Sequence, residues 1–192
     1  MLENLPPAIG EALKSMRPGL ERVIALGSDF ASVPDLIEVT SPAFRDGEPL
    51  PERFTDDGEG TSPPIAWSGV PEGTGSVVLV IEDADSPTPH PLVHAIVFDL
   101  PGRDGELPEG ALPSEGAADS DPPAMGRNSF LSGEYLPPDP PPGHGPHRYV
   151  VQAFALDTAP EFEGAPGRGA ILDALRGHVL AKGILIGTYE RE

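Results

Sequence analysis

Cysteine is absent from this chain, which removes disulfide frameworks, thiol nucleophiles and cysteine-ligated zinc together. Lysine is almost absent, with only Lys14 and Lys182. The 12 basic residues are set against 31 acidic ones, for a net charge of -19. Such a surface repels nucleic acid phosphates and anionic bilayers, so neither is expected as a partner. No apolar run reaches the roughly 18 residues of a membrane-spanning helix. Glu3, Glu11 and Glu21 interrupt the opening segment, so it does not read as a secretory leader, and a cytoplasmic protein is expected. No internal repeat and no H-E-x-x-H zinc motif is present, and no cofactor is expected. What remains, at 192 residues, is enough chain to bury an ordinary core without covalent staples.

The order of elements points to a mainly β fold. Ile9, Leu13, Met16, Leu20 and Ile24 recur at helical spacing, with Pro18 placed to open a second short helix. This predicts a helical N-terminal extension over 1–36, packed on its own domain or, alternatively, forming a homodimer contact. From about residue 37 short apolar runs alternate with Gly/Pro-rich turns, predicting strands over 36–40, 65–67, 76–82, 92–100 and 149–157. The segments 101–124 and 136–146 read as long irregular connections. Ile171, Ala174, Leu175, His178 and Val179 mark a late helix with Gly183 as its stop, followed by a last strand over 184–189. One β domain over 37–192 is the expectation.

Polar residues interrupt the most apolar strands. The 76–82 run leads directly into Asp83 and Asp85, and residues two apart in extended chain point the same way. His94 stands inside the 92–100 run, and His147, Arg148 and Tyr149 open the longest strand. Each has an ordinary alternative: an Asp-x-Asp turn, a satisfied core histidine, a loop end, a packing tyrosine. If the strands share one core, their polar residues converge. Two carboxylates there disfavour being ionised together. Imidazole N–H groups, a protonated carboxyl and the Tyr149 hydroxyl would then be donors to a phosphate-like anion. A histidinium beside an aspartate would make that binding pH-sensitive.

Several ordered blocks resemble one family. Asp83-Ala84-Asp85-Ser86-Pro87 is similar to its D-P-D-A-P turn. Ser62-Pro63-Pro64-Ile65-Ala66-Trp67-Ser68-Gly69-Val70-Pro71 is similar to its S-P-P-L-x-W-x-x-V-P segment. Pro140-Pro141-Pro142-Gly143-His144-Gly145-Pro146-His147-Arg148-Tyr149 is similar to its P-P-x-G-x-x-x-H-R-Y stretch. Together they resemble the phosphatidylethanolamine-binding protein family, in its prokaryotic Raf kinase inhibitor-like (YbhB/YbcL) branch. The resemblance implies two antiparallel sheets in Greek-key arrangement and a small anion pocket at Asp83, Asp85, His94, His147 and Tyr149. It also implies that Gly126-Arg127-Asn128-Ser129-Phe130 lies near that pocket. The departures are Ala84 for the turn's proline, Ser86 as an added hydroxyl and Ala95 where an aromatic usually follows the histidine. A further carboxylate, Asp139, is expected at the mouth, weakening anions or selecting cationic or zwitterionic ligands.

The leading expectation is therefore a non-enzymatic binder of a small anion or phosphorylated ligand and a candidate modulator of other proteins. A metal-assisted hydrolase built on the Asp/His cluster, and a scaffold acting through the N-terminal helix, are the alternatives. Ser129 lacks the elbow motif of a serine nucleophile.

Overall fold

A computed structural model describes residues 6–114 and 122–191. Two antiparallel sheets form the body. The smaller joins β1 (Glu38–Thr40), β2 (Ile65–Ser68) and β5 (Gly105–Leu107) in the order β1-β2-β5. The larger joins β3 (Ser76–Asp83), β4 (Leu92–Pro101), β6 (His147–Leu156) and β7 (Val179–Tyr189) in the order β4-β3-β6-β7. Two short helices, α1 (Pro7–Leu13) and α2 (Arg168–Leu175), lie near the ends of the chain.

The period of two along β3 explains why the larger sheet is buried on both faces. Val77, Leu79 and Ile81 meet Val39, Ile65, Trp67 and Leu107 of the smaller sheet in the inter-sheet core. Val78 and Val80 face the opposite way, packing with Phe154, Leu156, Ile171 and Leu175 under α2. The chain before β1 contributes Ile24, Ala25 and Phe30 to that second core. Glu82 continues the α2-facing row and is fully buried. It accepts hydrogen bonds from Ile24 N (2.8 Å), Gln152 Nε2 (2.8 Å) and Arg168 Nε (2.6 Å), which satisfies its charge.

The helical stripe near the N-terminus takes a different form from the one its spacing predicts. Only α1 is α-helical; beyond Pro18 the chain makes three 3-10 turns, Leu20–Arg22, Ile24–Leu26 and Ser28–Phe30. Gly19, at φ 92°, begins that change of direction. Ile24 enters the core, whereas Ile9 and Met16 stay exposed. The late helix is shorter than its spacing suggests. Gly177 (φ 78°), not Gly183, follows its end. Gly183 instead lies within β7, where a Cβ would stand 1.9 Å from the Ile37 carbonyl oxygen. Strand β5 falls inside 101–124, a segment read as irregular; residues 115–121 of it lie outside the described residues.

Candidate functional site

The inter-sheet row of β3 ends on Asp83, paired with Tyr149 of β6 in register. His147 is two residues before Tyr149 on the same face, so alternation alone brings Asp83, His147 and Tyr149 to one end of the core. His94 arrives by another route. Ile81 pairs with Ala95 and Glu82 with Val93, so His94 is the extra residue of a β-bulge. Val93 packs under α2 and Ala95 in the inter-sheet core. The bulge thus breaks the alternation and aims His94 at the same end as Asp83.

A cavity of about 350 Å³ opens there, lined among others by Asp56, Asp83, Ser86, His94, Phe130, Asp139 and His147. Its walls between these groups are apolar: Pro87, Leu92, Leu136, Pro137 and Pro141. Asp83 Oδ2 lies 2.7 Å from His147 Nδ1, and Asp83 Oδ1 accepts the Asp85 N–H at 2.8 Å. His147 Nε2 lies 2.7 Å from His144 Nδ1, so both its ring nitrogens are engaged. His94 Nδ1 sits 2.6 Å from the Leu136 carbonyl oxygen and donates to it, because a carbonyl only accepts. Among the described residues, that leaves His94 Nε2 with no protein partner, and the buried Tyr149 hydroxyl likewise has none. The two rings meet edge to face with centroids 5.1 Å apart.

The electrostatics differ from group to group. Burial lowers the His94 pKa, against the opposing pull of Asp83, so the ring is neutral and Nε2 presents a lone pair. His94 therefore offers an acceptor where a histidine N–H donor was expected. Burial, with the nearby Asp83 charge, raises the Tyr149 pKa and keeps its hydroxyl protonated. Asp139 is ion-paired: Arg191 Nη1 lies 2.5 Å from its Oδ1 and also reaches Asp57 at 2.7 Å through Nη2. The extra carboxylate at the mouth is thus offset by a guanidinium that the sequence did not single out.

Asp85 follows Asp83 by two residues but turns elsewhere. Its oxygens accept the Arg148 N–H at 2.9 Å, Arg148 Nε at 2.7 Å and Arg148 Nη2 at 2.7 Å, with Arg17 Nη1 at 3.2 Å. Burial raises its pKa, yet the Arg148 bonds and charge outweigh this and hold the carboxyl below its ordinary range. β3 ends at Asp83, so the extended-chain rule no longer applies at Asp85. Ala84 is buried, and the turn is pinned by Ala84 N to Arg148 O (3.0 Å) and Gly19 N to Ala84 O (2.9 Å) rather than by a proline. Ser86 contacts Thr88 Oγ1 at 2.6 Å, and Thr88 donates to the His90 carbonyl. The Ser86 proton is therefore committed to Thr88, leaving the cavity a hydroxyl oxygen that accepts. Ala95 belongs to the core, not to the cavity wall.

The Gly126–Phe130 block does reach the site. Asn128 Oδ1 accepts the N–H groups of Phe130 (2.9 Å) and Ser132 (3.1 Å), shaping a tight loop that sets Phe130 on the cavity wall. Ser129 Oγ accepts the Val93 N–H at 2.8 Å and so ties that loop to β4. Among the described residues, no group of three or more His, Asp or Glu side chains is placed to hold a metal ion, which counts against the metal-assisted alternative. No helix among them is long and apolar enough to cross a membrane.

Known proteins resemble this chain in sequence and fold. The family described as phosphatidylethanolamine-binding protein matches residues 40–190. The chain is 37% identical over 168 residues to a UPF0098 protein of Aquifex aeolicus, covering 85% of this chain and 94% of that one. It is 37% identical over 153 residues to a UPF0098 protein of Methanothermobacter thermautotrophicus, covering 78% and 95%. Among solved structures, a phosphatidylethanolamine-binding protein homologue from Chlamydia trachomatis superposes with TM-score 0.72 at 33% identity, covering 82% of this chain and 99% of that one. Escherichia coli YbcL, described as a member of the mammalian family, superposes with TM-score 0.73 at 29% identity, again covering 82% and 99%. With the family match over 40–190 and these likenesses in sequence and fold, the chain belongs to the phosphatidylethanolamine-binding protein family, in the branch that includes YbcL.

Proposed function

We propose that the protein binds a small phosphoryl compound in the cavity beside Phe130, with Asp83, His94 and His147 in its lining and Tyr149 packed against the two histidine rings, and does not turn it over. The observation that carries this reading is the pair of buried polar atoms without a partner among the described residues, His94 Nε2 and the Tyr149 hydroxyl. Leaving such groups unsatisfied costs about 1–3 kcal/mol each, and a ligand that pairs with both recovers it. One atom accepts and the other donates, which matches a phosphate monoester carrying one P–OH and one P–O⁻. Asp85 supports the site from behind by anchoring Arg148.

The remaining lining is rich in acceptors: Asp83, Asp139 and the Ser86 oxygen. A ligand that brings its own protons, such as an ammonium near its phosphoryl group, suits that lining better than bare phosphate. Calorimetric titration with phosphate and with phosphoethanolamine is the direct test. We expect phosphoethanolamine to bind more tightly, and Tyr149→Phe and His94→Ala each to weaken it about tenfold, the scale of one lost hydrogen bond in a desolvated site. The absence of binding by either compound between about pH 5 and 8, where histidine titrates, would sink the reading.

A further inference from the structure

The chain before residue 40 lies outside the family match, yet it packs on the proline-rich loop that leads into His147. Gly10 is buried against the proline-rich loop; a Cβ there would stand 2.0 Å from the Pro142 carbonyl oxygen. Leu13, the last residue of α1, places its carbonyl oxygen 2.9 Å from His144 Nε2. Arg17 then donates to the carbonyls of His144 (2.5 Å) and Pro146 (2.7 Å). His144 is fully buried and is not part of the cavity lining.

The partners at each end of this chain decide the direction of its hydrogen bonds. A carbonyl only accepts, so His144 Nε2 carries a proton. Burial first, then the neighbouring His147 and Arg17, act against a second proton on that ring and outweigh the Leu13 carbonyl. His144 is therefore neutral, with a bare Nδ1 that also lies 3.5 Å from Arg17 Nη2. Facing that lone pair at 2.7 Å, His147 Nε2 is the donor. His147 Nδ1 and Asp83 Oδ2, 2.7 Å apart, then share a further proton between them.

We propose that α1 and Arg17 are part of the ligand site: through His144 they fix His147 Nε2 as a donor and keep the shared proton at the Asp83–His147 end, against the cavity. His144 is a positioning residue in this scheme, acting only through His147. The inference rests on the binding reading above and names what sets the charge a ligand meets there. The charged and titratable groups around His147 among the described residues include Asp83 on β3, His94 on β4, Tyr149 on β6, Asp139 on the loop before β6, and His144 and Arg17 behind it. Of these, only His144 offers His147 Nε2 an acceptor. With that acceptor removed, His147 is best paired with its one proton on Nδ1, facing Asp83, and the Asp83–His147 pair gives up the further proton.

Imidazole nitrogen NMR on the full chain at pH 7, without ligand, reads this directly. In the wild type His147 Nε2 is expected to be protonated. In His144→Leu it is expected to be bare, with phosphoethanolamine affinity down about tenfold, the scale of one charge-assisted hydrogen bond. His144→Asn, whose side-chain oxygen replaces Nδ1 as acceptor, should restore both readouts to within about threefold of the wild type. A bare Nε2 in the wild type overturns the proposal whatever the variants do. So does a His144→Leu protein that keeps both the Nε2 proton and the affinity. If the wild type binds no phosphoethanolamine, the binding reading fails, while the ring spectra still decide how His147 is protonated.

Discussion

The cavity has two histidine walls built in opposite ways. His94 reaches it from a bulge in β4, donates one nitrogen to Leu136 and leaves the other unpaired. His147 opens β6 with both nitrogens engaged, one by Asp83 and one by His144. Both rings are buried to a similar degree, so burial alone does not separate them. Their second partners do: a backbone carbonyl fixes a neutral tautomer with a lone pair, whereas a carboxylate on one side and an acceptor ring on the other hold an extra proton. One residue type thus supplies an open acceptor and a ring held through both nitrogens in the same pocket.

The sharpest way to break the His147 wall is Asp85→Ala. It removes a buried carboxylate that organises Arg148 and Arg17 beneath that wall. Losing one member of a buried pair costs about 3–5 kcal/mol; because both arginines are partly exposed and can rehydrate, we expect about 2–3 kcal/mol, measured by urea denaturation. The pH dependence follows from the depressed carboxyl. Its stabilisation is complete above the unfolded value near pH 3.9 and is lost as pH falls through the lower folded value. An Asp85→Asn protein should lack that portion of the acid-induced loss.

A second substitution acts on the same wall from outside. Gly10→Ala forces α1 away from the Pro142 carbonyl, an overpacking effect of about 1–3 kcal/mol. Ligand affinity should fall with it, while the ring signals of His94 stay unchanged. Equal disturbance of both rings would show that the two walls are not separable.

The smallest effect tests the other wall. Burial holds His94 below its ordinary pKa, so between the folded value and about 6.5 the unfolded chain binds a proton that the folded one does not. Stability therefore falls as pH drops below about 6.5 and carries no such penalty above it. His94→Gln should flatten that slope by at most about 1.4 kcal/mol per pH unit, the value for one proton. Thermal melts at several pH values between about 5 and 7.5, spanning the histidine range, check it. An unchanged slope would mean that His94 is protonated in the fold.

Much of this pocket was legible from local pattern. Asp83, His147 and Tyr149 needed only strand alternation and adjacent strands, and both are visible in the apolar runs. His94 was legible as a polar interruption, but the bulge that aims it depends on the pairing of β4 with β3. Asp85 misleads because the alternation rule ends with the strand, at Asp83. Arg17, His144 and Arg191 carry little local signal. Arg17 and His144 are 127 residues apart, and Arg191 and Asp139 are 52 apart, so no window of sequence shows either pairing. Sequence alone overextends the late helix because Gly183 suits a helix stop as well as Gly177 does. Only the crowding of Gly183 against Ile37 distinguishes them.

The mouth of the cavity also bears on how fast a ligand would come and go. Pro87, Pro137 and Pro141 line it, and Pro138, Pro140 and Pro142 flank them in sequence. Proline removes backbone freedom before any ligand arrives, so little ordering remains to be done on capture. Association should then follow the collision rate rather than a loop-closing step. Compounds that differ in their fit to His94 and His147 should differ mainly in residence time.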